Sequence, residues 1–230
     1  MKKHIPNALT CANLFSGCIG IVFAFKGDLH IAAYAVLISG IFDFFDGFSA
    51  RLLHVKSEIG KELDSLADVV SFGFLPGVVM FQLLSQSDWS WPYIPYTGFM
   101  ISIFSALRLA KFNIDTRQTE DFIGLNTPMN TLFIVSLPFI QRDYPELIGS
   151  TLLLIGLTIL TSWLLVSEIR IFSLKFGSLD WRGNKVKYVF LLISAALIAW
   201  LKFAAIPIVL ILYIAASFLH FKGSTSELEE

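Results

Sequence analysis

Apolar stretches long enough to cross a bilayer recur along almost the whole chain, and this constrains the fold more than any motif. A spanning helix needs about 20 mostly apolar residues. Eight candidates are found, at about 8–25, 30–53, 65–86, 93–112, 127–141, 147–169, 186–201 and 203–221. The fifth and seventh are short, and the last two nearly abut at Lys202, which predicts either a hairpin or a broken helix. Only 15% of the residues are charged and 55% are hydrophobic, against roughly 25% charged in soluble domains. The expected fold is therefore all-α, a polytopic membrane bundle of about eight transmembrane helices. One membrane domain should fill residues 1–230: a six-helix core over about 5–170 and two additional C-terminal helices over about 186–221. Met1-Lys2-Lys3-His4 leads into the first span without a small-residue cleavage site, so no signal peptide is expected. Cys11 and Cys18 both fall in that span and read as packed thiols of a membrane helix.

Placement of the 17 lysines and arginines sets an orientation. With eight spans and a cytosolic start, fourteen fall on the inner side: Lys2, Lys3, Arg51, Lys56, Lys61, Arg108, Lys111, Arg117, Arg170, Lys175, Arg182, Lys185, Lys187 and Lys222. Only Lys26, Arg142 and Lys202 fall outside. Both termini are thus expected in the cytosol. Trp89, Trp91, Tyr93 and Tyr96 would form an outer interfacial belt, and Glu227, Glu229 and Glu230 a solvated tail. No nucleic-acid partner is expected.

Against this background four acidic residues stand out. Asp43 and Asp46 lie near the inner end of the second span, Asp64 and Asp68 at the inner start of the third. Each carboxylate at bilayer depth costs about 2.5–3.5 kcal/mol, less near the interface, so such a group is a functional-site hypothesis by default. Spacings of three and four put each pair on one helix face, within about 4.5–6 Å of rise. A short connection at about 52–60 makes the two helices antiparallel neighbours, so all four carboxylates can converge at one level. A divalent cation is their natural partner, and oxygen-only ligands point to Mg²⁺, Mn²⁺ or Ca²⁺ rather than zinc. The plainer alternative is an ion pair of Asp43 or Asp46 with Arg51 or Lys56.

Read in full, the stretch is Asp43-x2-Asp46-Gly47-x2-Ala50-Arg51-x8-Gly60-x3-Asp64-x3-Asp68. Every fixed position and gap resembles the signature of the CDP-alcohol phosphotransferase family, whose members transfer a phosphatidyl-type group from a CDP-linked lipid to an alcohol and release CMP. The resemblance implies that Asp43, Asp46 and Asp64 are metal ligands, that Asp68 completes the cluster, and that Asp68 takes the proton of the attacking hydroxyl. It makes the six-helix core the catalytic one, and it implies a homodimer. Two metal ions suit such a displacement at phosphorus. Gly47 and Gly60 would let a nucleotide approach closely. Ala50 keeps the same face open, and Arg51 can fork onto a phosphate.

Three further stretches resemble the phosphatidylserine synthase branch: Ile5-Pro6-Asn7-Ala8-Leu9-Thr10 with Asn13; Leu63 to Gly73 with Pro76; and Ala106 to Asn113 followed by Phe122-Ile123-Gly124-Leu125 and Thr127-Pro128. Asn126 stands where that branch more often has proline, and Lys111 where arginine is commoner. The resemblance covers roughly residues 5–130. It implies CDP-diacylglycerol and L-serine as substrates in a membrane lipid environment. The compactness of the chain suggests a bacterial inner membrane, with the site on the cytosolic face that the lysines and arginines indicate. Arg108, Lys111 and Asn113 are candidates for serine, with Arg108 placed to meet its carboxylate or a substrate phosphate; the alternative is a cluster that sets topology. Asn7, Thr10 and Asn13 are candidates for the cytidine diphosphate, although Asn7 also reads as an N-cap of the first helix and Asn13 as polar packing. Gly73-Phe74-Leu75-Pro76-Gly77 reads as close helix packing with a kink. Rival readings are a sibling enzyme using glycerol 3-phosphate or inositol phosphate, and a divalent-cation transporter.

Overall fold

The computed structural model describes residues 4–55, 57–88, 91–115, 117, 121–173 and 181–226. Lys2, Lys3, Lys56, Trp89, Lys175 and the acidic tail lie outside the described residues, as do the side chains of Arg182 and Lys222. The chain is a bundle of helices: α1 (His4–Phe25), α2 (Leu29–Leu52), α3 (Glu58–Asp68), a π-helical segment (Val69–Phe74), α4 (Leu75–Ser85), a 3₁₀ turn (Ile94–Phe99), α5 (Met100–Ile114), α6 (Thr127–Asp143), α7 (Pro145–Gly149), α8 (Thr151–Val166), α9 (Trp181–Leu201) and α10 (Ala205–Ser226). Each of the eight apolar stretches becomes helix. By length and composition, four helical segments among the described residues can cross a membrane: His4–Phe25, Leu29–Leu52, Glu58–Ser85 and Asn184–Phe221. The protein is an integral membrane protein. Helix α8 has 16 residues, about 24 Å of rise, short of a hydrocarbon core of about 30 Å.

Several boundaries differ from the expectation. The third span starts at Glu58, not near 65, because Ser57 caps α3: its Oγ accepts from the Gly60 amide at 3.1 Å. Asp64 and Asp68 therefore sit in the second and third turns of a helix rather than at its start. The sixth stretch is cut at Ser150, whose side chain caps α8. At Lys202 the chain turns back with φ 52, and the Phe190 and Tyr213 rings meet at 5.3 Å. The last two stretches are therefore an antiparallel hairpin. Helix α1 begins at His4, so Asn7 lies within its first turns and is not its N-cap. Cys11 and Cys18 are free and exposed, not packed. An unforeseen two-residue antiparallel ladder pairs β1 (Phe122–Ile123) with β2 (Arg170–Ile171).

The kink expected at Pro76 is instead a π-helical stretch. Proline has no amide hydrogen, so the Phe72 carbonyl four residues earlier loses its helical donor. The helix widens around it, and the Leu75 amide donates to the Val70 carbonyl five residues back. Thr131 of α6 then donates its Oγ1 to the Phe72 carbonyl at 2.6 Å. In a membrane such a carbonyl has no water to turn to. Small residues let the helices close on this segment. A Cβ at Gly77 would collide with Ser102 Oγ, and one at Gly73 would stand 3.1 Å from Ser105 Cβ.

Helix α1 lies against both α2 and the α3–α4 helix, and is tied to them by hydroxyls. Ser39 and Ser71, from opposite sides, both donate to the Asn13 carbonyl at 3.1 Å. Ser16 donates to the Ala35 carbonyl at 3.0 Å. These bonds fix the depth at which the three helices meet, and the aspartates stand at that depth.

Candidate active site

Antiparallel α2 and α3, joined by residues 53–57, carry the four aspartates at the end of the bundle that also holds the start of α1 and the end of α5. Oxygens of Asp43, Asp64 and Asp68 all lie within 4.8 Å of one another. Asp64 Oδ1 is buried with no hydrogen-bond partner. Asp68 Oδ1 accepts from Asn13 Nδ2 at 3.3 Å. Asp46 is set apart: its Oδ2 accepts from Thr10 Oγ1 at 2.7 Å, and the residue is only 7% exposed. All four charges are close enough to repel one another. Among the described residues neither Asp43 nor Asp46 makes an ion pair with a lysine or arginine, and Arg51 donates instead to the Gly47 carbonyl; the other expected partner, Lys56, lies outside the described residues. An acceptor-only cluster whose carboxylates repel one another, and which holds a buried oxygen without a hydrogen-bond partner, fits a divalent cation held by oxygen ligands.

Beside the cluster lies a cleft of ≈ 260 Å³ that shares Asp46 and Asp64 with it. Of the residues expected to hold the nucleotide, Asn7, Thr10, Gly47, Ala50 and Gly60 all line it. Gly47 faces open space, where a side chain would fill the cleft. Gly60 allows α3 to approach α1: a Cβ there would stand 2.9 Å from Asn7 Oδ1. Arg51 does not line this cleft. Its Nε donates to the Gly47 carbonyl at 3.0 Å, one turn back along its own helix. Ser57 and Lys61 do line it and were missed as site residues. A signal existed: Lys61 precedes Asp64 by three residues, on the same helix face.

The three residues expected to receive serine are not brought together. Asn113 turns toward α3, with Nδ2 donating to Ser65 Oγ at 2.8 Å, so its amide serves as a strut between helices. Arg108 and Lys111 instead line a second cleft of ≈ 320 Å³ with Asp115, Arg117 and Glu168. Arg108 is 6% exposed. Its guanidinium lies over the Phe112 and Phe122 rings, at 5.1 and 5.9 Å. Its Nε donates to the Leu125 carbonyl at 3.2 Å, and its Nη2 is buried without a partner. That Leu125 carbonyl is held in place by its own loop. Gly124 adopts φ +77, and a Cβ there would lie 2.7 Å from the Leu165 carbonyl. Asn126 caps α6 by accepting from the Met129 amide at 2.8 Å. Arg117, beyond the helix end, pairs with Asp115 at 2.9 Å and Glu168 at 3.5 Å, which raises its pKa.

The sequence matches the family model described as CDP-alcohol phosphatidyltransferase over residues 3–166. The chain belongs to this family. It is 35% identical over 176 residues to a CDP-diacylglycerol–serine O-phosphatidyltransferase of Helicobacter pylori J99, covering 72% of this chain and 70% of the relative. It is 33% identical over 172 residues to the enzyme of that name from Bacillus subtilis, covering 73% and 89%. An archaetidylserine synthase of Methanothermobacter thermautotrophicus is 29% identical over 182 residues, covering 78% and 72%. In this family member, the matched region contains the whole aspartate cluster, both clefts up to Val166, and none of the α9–α10 hairpin.

Proposed function

We propose that the chain transfers the phosphatidyl group of CDP-diacylglycerol to the hydroxyl of L-serine, giving phosphatidylserine and CMP. The observation that carries this reading is the convergence of Asp43, Asp64 and Asp68 beside a nucleotide-sized cleft, in a chain whose relatives bear that enzyme's name. Asp43, Asp46, Asp64 and Asp68 hold the divalent cations, two of Mg²⁺ or Mn²⁺, with Ca²⁺ a third possibility for the site. When bound, these cations neutralise charge on the diphosphate and on the departing CMP. Asp46, steadied by Thr10, faces the nucleotide cleft and bridges the two halves of the site.

The cytidine diphosphate lies along Asn7, Thr10, Gly47, Ala50 and Gly60, where absent or small side chains leave room for it. Arg51 would have to leave the Gly47 carbonyl to reach a phosphate, which its exposed position permits. Serine Oγ attacks the phosphorus bearing the diacylglycerol, and the bond from that phosphorus to the CMP oxygen breaks. The hydroxyl proton passes to Asp68, whose donor Asn13 holds the carboxylate in place. Arg108, with Nη2 unpartnered, and Lys111 receive the serine carboxylate, while Asn113 positions the end of α5.

The fourteen-to-three distribution of lysine and arginine supports placing both termini and the site in the cytosol, at the inner membrane of a bacterium. Residues of about 5–170 form the catalytic core, the C-terminal hairpin is an addition to it, and the enzyme works as a homodimer. Acidic groups able to hold a metal cluster at one end only among the described residues, which favours catalysis over cation transport. Purified protein given labelled CDP-diacylglycerol and a panel of serine, glycerol 3-phosphate and inositol phosphate tests the reading. Product with serine alone supports it, and product only with a phosphorylated acceptor refutes it.

A further inference from the structure

Electrostatics of the nucleotide cleft leave a role unfilled. Four carboxylates and two divalent cations cancel, so the diphosphate of the substrate brings about two negative charges into a site with no net charge of its own. Arg51 is turned away onto the Gly47 carbonyl. Among the described residues lining the cleft, Lys61 is the one cation. It stands next to Gly60 and one helical turn before Asp64, so its stem shares the face on which the metal ligands lie.

We infer that Lys61 is the diphosphate ligand of this cleft, a point that rests on the proposed reaction and deepens it. The ammonium now donates to the Asn113 carbonyl at 3.3 Å. This is a long contact to one of the last carbonyls of α5, groups that a helix leaves without internal partners. The contact is exposed, so water can replace the ammonium there at little loss. A phosphate oxygen is the stronger acceptor, because both partners are then charged. Lysine suits the task as a flexible point charge on a long stem, able to swing from the carbonyl into the cleft. The swing breaks one hydrogen bond from Lys61 to α5. The remaining α3–α5 tie, Asn113 to Ser65, is undisturbed.

Cytidine and CMP separate this role from a structural one, since they differ only by the phosphate. Binding of each to the purified full-length protein is measured by calorimetry in detergent with Mn²⁺ present, for the wild type and for Lys61→Met and Lys61→Arg. Lys61→Met should weaken CMP about tenfold and leave cytidine unchanged, and Lys61→Arg should recover most of the loss. The KM for CDP-diacylglycerol should rise in parallel, with kcat changed less. Equal weakening of both ligands, or of neither, would overturn the proposal. Asn113→Ala, which breaks the strut but keeps the carbonyl, should leave the ratio of the two affinities at its wild-type value; a shift of that ratio would also overturn it. A wild type that binds neither ligand would refute the enzymatic reading itself, and this inference with it.

Discussion

Replacing Thr10 by valine tests the site through a residue one step removed from the metal. The two side chains are nearly the same size, so the substitution removes a donor without opening a cavity. Thr10 Oγ1 lies 2.7 Å from Asp46 Oδ2, buried between α1 and α2. A hydrogen bond to a charged group contributes about 1.5–3 kcal/mol. The same hydroxyl also lies 3.1 Å from the Pro6 carbonyl, so its single proton is shared. Sharing favours the lower end of that range, about 1.5 kcal/mol, which corresponds to slightly more than tenfold in an equilibrium constant. Loss of an outer partner of a metal ligand costs about 10–100-fold in affinity in other sites, which agrees. The expected result for Thr10→Val is a Mn²⁺ dissociation constant raised about tenfold, read by electron paramagnetic resonance of free Mn²⁺. The activity midpoint in a Mn²⁺ titration should move by the same factor, with the maximal rate recovered at saturation. An unchanged Mn²⁺ midpoint would refute the argument that Thr10 steadies a metal-binding carboxylate.

Other substitutions give separate tests. Asp64→Asn removes charge at the oxygen left without a partner, so turnover should fall at least about 100-fold while the thermal midpoint in detergent stays level or rises, as repulsion among the carboxylates is relieved. Thr131→Val strips the Phe72 carbonyl of its donor and should lower stability by about 1–2 kcal/mol in a chemical unfolding titration. At the opposite end of the bundle, Thr151 donates to Asp88 Oδ1 from both its amide, at 3.0 Å, and its hydroxyl, at 2.6 Å, holding that carboxyl below its usual range. A lowered folded-state pKa stabilises above the unfolded value of about 3.9 and is lost as pH falls through the folded one. Between pH 7 and 3, wild type should therefore lose thermal stability more steeply than Asp88→Ala.

Much of the site was legible because charge inside an apolar run is conspicuous. The four aspartates announce themselves by spacing, while the glycines and alanine beside them enter only through the resemblance to the family signature. Asp46 is set apart from the other three and held by Thr10, thirty-six positions away, and no local pattern carries that. Asn113 looked like a substrate ligand because its stretch resembles the phosphatidylserine synthase branch and ends level with the aspartates. Its own helix turns it toward Ser65 instead, and that depends on how α3 and α5 cross. The start of α3 was hidden because Glu58, Lys61 and Glu62 read as a loop, although Ser57 is a good cap. Pro76 suggested a kink, and the π-helical widening found there comes with a donor from another helix, Thr131. The β1–β2 ladder is too short for any periodicity to show.

The most direct test of the whole account follows phosphatidylserine and CMP together in a reaction of purified protein, CDP-diacylglycerol and L-serine. Both products should appear in equal amounts, vanish with a chelator, and return when Mn²⁺ or Mg²⁺ is added in excess. Phosphatidylserine formed at an undiminished rate in the presence of the chelator would contradict the assignment of the aspartates.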